Sequence, residues 1–172
     1  MAINQNRNDR NDDRARIASW LQPQDILLDV DAHDRVQALE VIAATIGRLH
    51  GLEQAPILRA LSRREQAGST GLGGGFAIPH ARISGIARPL TLFIRTKLGI
   101  EFDALDGKPV SQLLAIMVPV DGAKDDHLQL LALVARLFSD HEFRKQLDGA
   151  SDATAAALAF RAGIANLSAT SP

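Results

Sequence analysis

The chain has 172 residues, of which 46% are hydrophobic, and this is enough apolar material for one domain with its own core. Its 19 Lys and Arg residues nearly balance its 20 Asp and Glu residues, so the net charge of −1 predicts no nucleic-acid partner. Cysteine is absent, which excludes disulfides, thiolate nucleophiles and thiolate-bound zinc or iron–sulfur clusters.

The N-terminal segment mixes Asn, Asp and Arg and lacks the apolar stretch of a signal peptide, so residues 1–18 are predicted to be a mobile tail. We expect a single domain over residues 19–167 and a short C-terminal tail over residues 168–172. The longest apolar run, LLAIMVPV, is far shorter than the roughly 20 residues of a membrane helix, so no membrane insertion is expected.

Strand and helix patterns alternate from Trp20 onward. The segment DILLDVD predicts a strand, and HDRVQALEVIAATIGRLHG predicts a helix that ends at Gly51. One stripe of this helix is apolar: Val36, Leu39, Ile42, Ala43, Ile46 and Leu49. A second helix is predicted in APILRALSRREQAG, with Pro56 in its first turn and Gly68 at its end.

A glycine-rich loop follows the second helix, and after it FAIPHARI, LTLFIRT and SQLLAIMVPV predict strands. The segments AKDDHLQLLALVARLFSD, EFRKQLDGA and DATAAALAFRAGIANL predict helices. This order of strand, two helices, strands and further helices predicts one α/β domain.

The glycine-rich loop, GLGGGFAIPHAR over residues 71–82, has four glycines within five positions. Phe76 stands where a dinucleotide fingerprint needs glycine, and the Gly-Lys-Ser/Thr of a Walker loop is absent. A backbone without Cβ atoms can still approach an anion closely and direct several N–H groups at it. The alternative interpretation is a tight surface turn that leads into a strand.

His80 follows directly after a proline. Pro79 removes a hydrogen-bond donor from the strand, which predicts an irregular or edge strand from which the next side chain projects. One ring nitrogen would then be available for chemistry, while a backbone carbonyl orients the other. Alternatively, His80 makes its hydrogen bonds within the sheet.

Arg64 is predicted to face inward on the second helix. At about 100° per residue it shares the face of Ile57 and Leu61, whereas the other two arginines of that helix point the opposite way. An inward guanidinium needs an anionic partner, and a phosphoryl dianion suits its planar fork. The alternative is a structural ion pair with Glu101 or Asp103.

His127 begins an apolar stripe with Leu131, Val134 and Phe138 at the start of a predicted helix. The positive end of a helix lowers the pKa of a histidine and favours a bound anion, although a histidine packed at the rim of the core is an alternative. The remaining histidines lie at apparent helix ends and are expected to be exposed or capping: His33, His50 and His141.

The segments REQAGSTGLGGGFAIPHAR, FDALDGKPV and MVPVDGAKDDHLQLLALVARLF resemble the IIA domain of the fructose, mannitol and nitrogen-regulatory class of the bacterial phosphoenolpyruvate-dependent phosphotransferase system. The resemblance extends from about Leu21 to Leu167, and the opening segment is similar in particular to nitrogen-regulatory IIA proteins. It implies the EIIA type-2 fold, a mixed β-sheet flanked by helices, with no metal or organic cofactor. A cytoplasmic location is expected.

The resemblance also implies roles for individual residues. His80 in the IPH motif would be phosphorylated, Arg64 in the RE pair would assist, and His127 would be a second active-site histidine. We predict that a further group cradles the phosphate: Thr70, Gly71, Gly73, Gly74 and Gly75. The implied phosphoryl donor is the small carrier protein HPr or its nitrogen-branch equivalent, and the implied receivers of the signal are regulatory target proteins.

The chain has neither a cysteine for a IIB-type phosphocysteine nor a membrane span, so the sequence favours a free-standing regulatory phosphoprotein. A separate IIA subunit that feeds a sugar-specific partner is the alternative within the family. Outside it, His80 and His127 with Asp103 could form a metal-dependent hydrolase, although the short helical spacing of His-Glu-x-x-His is absent. A binding module that never accepts phosphate is the third alternative.

Overall fold

A computed structural model describes residues 21–122 and 124–169, and the side chains of residues 124–126, 168 and 169 are outside the description. The predicted N-terminal tail, residues 1–18, lies outside the described residues, as do residues 170–172 of the predicted C-terminal tail. The described residues divide into two compact units, one of residues 27–127 and one of residues 21–26 and 128–169.

The unit of residues 27–127 contains the sheet, except for Ile26 at the start of its first strand, and the first two α-helices. Its elements in chain order are β1 (Ile26–Val30), α1 (Arg35–His50), α2 (Gln54–Gln66), β2 (Gly71–Gly73), β3 (Phe76–Ala77), β4 (His80–Ile83), β5 (Leu90–Ile100) and β6 (Val110–Pro119). The predicted strands and helices are all present. The glycine-rich loop contains the additional strand β2, which the sequence does not predict because glycine is a poor strand former.

The described strands form one sheet in the order β1-β5-β6-β3-β2, and β4 also pairs with β6. Strands β3 and β4 run parallel to β6, with Phe76 opposite Gln112 and His80 opposite Ile116. Strand β5 runs antiparallel to β6, and β2 runs antiparallel to β3. The predicted mixed α/β sheet is therefore confirmed.

The predicted strand FAIPHARI is interrupted at Pro79, between β3 and β4. Proline has no N–H to donate, but its carbonyl accepts a 2.9 Å hydrogen bond from the Ile116 N–H. His80 is consequently the first residue of a new short strand, and the predicted irregularity at this proline is confirmed.

Helix α1 begins and ends as its sequence predicts. The Asp34 carboxylate accepts a 2.8 Å hydrogen bond from the Gln37 N–H, and Gly51 has the left-handed φ of 67° that ends many helices. The buried face of α1 lies around Ile42 and Ile46, and Val36 falls at its margin. Val36 is 61% exposed, so the apolar stripe is narrower than predicted.

Helices α1 and α2 pack against each other and against the sheet, where they bury one apolar core. Its most deeply buried large side chains include Ile42, Ile46, Ile57, Leu61, Leu92, Ile94 and Leu113. Because α2 buries Ile57 and Leu61, the side chains near its C-terminal end are held in a fixed direction. This places the residues around position 64 next to β4.

The second unit contains a short 3-10 helix (Pro23–Asp25), most of α3 (Lys124–Ser139), α4 (His141–Asp148) and α5 (Ala153–Ala169). Phe138, Phe143 and Phe160 form an aromatic cluster with ring centroids 5.1–6.4 Å apart. Gly163 allows this close packing, since a Cβ there would lie 2.6 Å from Leu137. None of the helices among the described residues is long and apolar enough to span a membrane.

Candidate active site

Arg64 and His80 meet where the C-terminal end of α2 lies beside β4. The Nε–H of Arg64 donates to Nε2 of His80 at 2.9 Å, and its Nη1 donates to the Gly68 carbonyl at 2.8 Å. The alternative ion pair of Arg64 with Asp103 is not formed, because the Asp103 carboxylate accepts from Nη1 of Arg35 at 2.8 Å. Within the described side chains, Arg64 has no ion-pair partner within 4.0 Å.

The tautomer of His80 follows from its two partners. Its Nδ1 lies 2.8 Å from the Ile78 carbonyl oxygen, which can only accept a hydrogen bond. Nε2 receives the Arg64 Nε–H, so it must provide a lone pair. His80 therefore carries its proton on Nδ1, and the predicted orientation by a backbone carbonyl is present.

The electrostatic surroundings keep His80 neutral. Burial of the half-buried ring lowers the pKa of His80 below its usual value, and the positive charge of Arg64 lowers it further. The hydrogen bond to the Ile78 carbonyl acts in the opposite direction, with an influence smaller than that of burial but larger than that of Arg64. A neutral imidazole with an available lone pair on Nε2 is the form that can act as a nucleophile.

His127 faces His80 from the first turn of α3. Their ring centroids are 5.3 Å apart, and the rings are tilted by 52°. Nδ1 of His127 is buried and has no hydrogen-bond partner among the described residues. Partial burial lowers the pKa of His127, electrostatic coupling to His80 lowers it further, and so do the positive charges of Arg82 and Arg64. The site therefore combines two neutral imidazoles with cationic side chains, an arrangement suited to an anion.

The glycine-rich segment is an ordered hairpin between β2 and β3. Gly73, Gly74 and Gly75 have φ values of 88°, 64° and 85°, a left-handed conformation that is strained for residues with a Cβ. Gly71 has a different reason, since a Cβ there would lie 2.8 Å from Cα of Ala104. The backbone conformation and close packing of the hairpin therefore account for these glycines. This agrees with the alternative interpretation of the segment as a tight turn that leads into a strand.

Several donors of the predicted phosphate-cradling group already have acceptors. The N–H and Oγ1–H of Thr70 donate to the Glu65 carboxylate at 3.0 and 2.6 Å. The Gly74 N–H donates to Asp106 at 2.8 Å, and the Gly71 N–H donates to a serine hydroxyl at 3.0 Å. An anion would have to compete with these partners, and the cradling role of this segment stays a prediction.

Glu65 is a site residue that the sequence analysis missed. Its side chain is buried, and its carboxylate holds both polar hydrogens of Thr70 at the start of the glycine hairpin. It also lies 3.9 Å from Nη1 of Arg35. The signal was available, because Glu65 is one helical turn beyond Leu61 on the buried stripe of α2.

Arg82 is a second missed residue. It lies two positions after His80 on β4, so both side chains are on the same face of the strand. Its Nη1 donates to the carbonyl of Gly122 at 2.9 Å, in the turn that leads from β6 to α3. The alternation of side chains along a strand was the available signal.

The structure also shows the exposure of the other histidines and the positions of the three residues of the hydrolase alternative. His33, His50 and His141 are exposed, as predicted. His80 and His127 come together, but Asp103 pairs with Arg35 instead of joining them. In the part of the chain that the structure describes, no group of three His, Asp or Glu side chains is arranged to hold a metal ion.

Comparison with known proteins places this arrangement in a family. The family model described as "Phosphoenolpyruvate-dependent sugar phosphotransferase system, EIIA 2" matches residues 19–161. A nitrogen regulatory protein of Pseudomonas aeruginosa is 36% identical over 141 residues, which cover 81% of this chain and 91% of that protein. A nitrogen regulatory protein of Bradyrhizobium diazoefficiens is 34% identical over 139 residues, which cover 81% of this chain and 90% of that protein.

A solved structure agrees with these sequence matches. The nitrogen regulatory protein IIA-Ntr of Neisseria meningitidis superimposes with a TM-score of 0.78 at 35% identity, covering 84% of this chain and 98% of that one. The predicted EIIA type-2 fold is thereby confirmed. The chain belongs to the EIIA 2 family of the phosphoenolpyruvate-dependent sugar phosphotransferase system, within which it is similar to nitrogen regulatory IIA proteins.

Proposed function

We propose that this protein is a phosphoryl carrier, in which Nε2 of His80 accepts a phosphoryl group from a phosphohistidine of an HPr-type carrier protein. The observation that carries the proposal is the hydrogen bond from Nδ1 to the Ile78 carbonyl, which leaves the lone pair on Nε2. The neighbouring guanidinium of Arg64 supplies positive charge where the phosphoryl oxygens would lie.

The chemical step balances without a proton transfer. A bond forms between Nε2 of His80 and phosphorus while the nitrogen–phosphorus bond of the donor breaks, and the donor imidazole leaves with the bonding electron pair. The phosphorylated ring of His80 keeps its proton on Nδ1, where the Ile78 carbonyl stabilises the positive charge that develops. The protein needs only to position the group and to stabilise charge.

Arg64 has to change its hydrogen bond during this step, because its Nε–H occupies the lone pair that attacks phosphorus. Its remaining N–H groups form a fork that matches the oxygens of a phosphoryl group. The bond from Nη1 to the Gly68 carbonyl can hold the guanidinium near the site while Nε turns from nitrogen to oxygen.

His127 would serve as a hydrogen-bond donor to the phosphoryl group. Because its Nδ1 has no partner among the described residues, nothing there holds the proton on that nitrogen. The proton can therefore reside on Nε2 and be donated to a phosphoryl oxygen near His80. This assigns different tasks to two neighbouring imidazoles, one as nucleophile and one as donor.

Phosphorylation would place a doubly negative phosphoryl group on a half-buried side chain, which changes the surface offered to other proteins. The relatives named as nitrogen regulatory proteins support a regulatory role over a sugar-specific one. We therefore propose a free-standing regulatory protein whose phosphorylation state alters its binding to target proteins. Affinity capture with His80→Ala and with phosphorylated protein as separate baits would compare the two states.

The carrier function is tested by incubation with phosphoenolpyruvate, enzyme I and HPr, followed by intact mass measurement. One phosphoryl group is expected, acid-labile and alkali-stable, as for a nitrogen–phosphorus bond. His80→Ala should abolish it, and His33→Ala is the matched control because its side chain is 66% exposed. Undiminished labelling of His80→Ala, or a folded wild type that no such carrier labels, would contradict the proposal.

A further inference from the structure

Arg82 occupies a place in the site that the chemistry described so far leaves unused. It is half-buried and shares a strand face with His80. Its Nη1 lies within 2.9 Å of the Gly122 carbonyl oxygen and within 3.3 and 3.4 Å of the carbonyl oxygens of Val120 and Pro119. One cationic nitrogen thus joins β4 to three carbonyls at the end of β6.

These three carbonyls belong to the turn that precedes α3 in the chain. The Gly122 N–H closes the turn on the Pro119 carbonyl at 3.2 Å, and the Val120 N–H donates to the Ile83 carbonyl at 3.2 Å. Helix α3 starts at Lys124, and His127 is in its first turn. The turn at residues 119–122 therefore lies shortly before the helical turn that carries His127.

The charge of Arg82 also acts on this histidine. The positive charge of Arg82 is one of the influences that lower the pKa of His127, after burial and His80. The hydrogen bond of Arg82 to Gly122 in the turn is consistent with this influence on the pKa of His127.

We propose that Arg82 is a positioning residue for phosphoryl transfer, which holds the turn at residues 119–122 and thereby fixes His127 beside His80. The proposal rests on the function proposed above, in which His127 donates to the phosphoryl group. Nη1 of Arg82 has two N–H groups, which it shares among the three carbonyls. The ammonium group of a lysine has three N–H groups to donate, whereas an apolar side chain of similar length has none.

The test compares Arg82→Met, Arg82→Lys and the control Arg88→Met, which removes an exposed arginine from the same unit. Two quantities are measured: the rate of phosphoryl acceptance from phosphorylated HPr, and the nuclear Overhauser effect between the rings of His80 and His127. Arg82→Met should slow transfer by about 10- to 100-fold and weaken the ring contact, since small displacements of catalytic groups have effects of this size. Arg82→Lys should recover most of both, and Arg88→Met should match wild type.

Two results would overturn the positioning role. The first is a rate of phosphoryl acceptance for Arg82→Met equal to that of Arg88→Met. The second is slow transfer by Arg82→Met with an unchanged contact between the His80 and His127 rings, because Arg82 would then act without moving His127. The ring contact is measured on unphosphorylated protein. It therefore tests the position of His127 even if wild type accepts no phosphoryl group. Failure of wild type to accept a phosphoryl group would contradict the proposed carrier function and not the position of His127.

Discussion

The Nε–H of Arg64 donates a hydrogen bond to Nε2 of His80. Because the Ile78 carbonyl accepts the proton of Nδ1, the lone pair of the ring is on Nε2. The arginine therefore holds the nucleophilic atom in the resting protein and must release it when a phosphoryl group arrives. Holding and then releasing Nε2 depends on the shape of the guanidinium, because its Nε–H contacts His80 while its Nη1 contacts the Gly68 carbonyl.

Arg64→Lys tests that dependence. The substitution keeps the positive charge but cannot hold His80 and the Gly68 carbonyl in the same geometry, so we expect phosphoryl acceptance to slow by about 10- to 100-fold. Thermal unfolding should change little, because Arg64 is only half-buried. The control is Arg63→Lys, an exposed neighbour on α2. Equal rates for the two variants would remove Arg64 from the transfer step.

The lowered pKa of His80 predicts a pH dependence of definite sign. Its ordinary value is 6.5, and burial sets the folded-state value below this. Below pH 6.5 the unfolded chain binds more protons at this position than the folded chain, so the free energy of unfolding should fall as the pH falls toward the folded-state pKa. His127 contributes with the same sign because its pKa is also lowered.

Two measurements check this pH dependence. A titration of the His80 ring by NMR should have its midpoint below 6.5, and urea denaturation of His80→Gln should show a shallower loss of stability in that range than wild type. Phosphoryl acceptance should decline at low pH along the same titration, since the protonated ring has no lone pair on Nε2. A midpoint at or above 6.5 would contradict the assignment.

The local part of this site could be predicted from the sequence. The helical period placed Arg64 on the buried face of α2, and the missing N–H of Pro79 predicted the break from which His80 projects. Both signals involve residues close in sequence. The contact between Arg64 and His80 spans only 16 positions and joins two elements whose directions were already constrained.

The remaining part depends on contacts between distant segments, which no local pattern reports. Gly74 donates to Asp106, and Arg82 reaches Gly122 across 40 positions. The glycine-rich composition also conceals β2, because it is typical of a loop although the backbone of β2 pairs with β3. Sequence periodicity identifies which face a residue occupies but not which distant loop meets that face.

Glu65→Ala tests the role of the missed carboxylate. Removing it leaves the buried N–H and hydroxyl of Thr70 without their acceptor, a loss of about 1–3 kcal/mol in the free energy of unfolding. The matched control is Glu53→Ala, because Glu53 is exposed at the start of α2 and its side chain caps no N–H. Urea denaturation of both variants measures the difference. Equal stabilities would mean that Thr70 finds another partner at little cost.

Gly71→Ala tests whether the glycine hairpin is held by close packing. The new Cβ would lie 2.8 Å from Cα and 2.9 Å from Cβ of Ala104, and a backbone atom cannot move aside as a flexible side chain can. Gly71 does not have a left-handed φ, so the expected cost of about 1–3 kcal/mol arises from this overlap. Gly149→Ala is the control, since its φ is −80° and its nearest contact would be 3.4 Å.

The same substitution should be detectable at His80. The Ile78 N–H donates to the Thr70 carbonyl at 3.0 Å, and the Ile78 carbonyl in turn orients the imidazole. Displacement of β2 from Ala104 should therefore shift the ring resonances of His80 and slow phosphoryl acceptance, whereas Gly149→Ala should leave both unchanged. A Gly71→Ala protein with wild-type stability and unshifted His80 resonances would show that the hairpin tolerates separation from Ala104, and that the position of His80 does not depend on this contact.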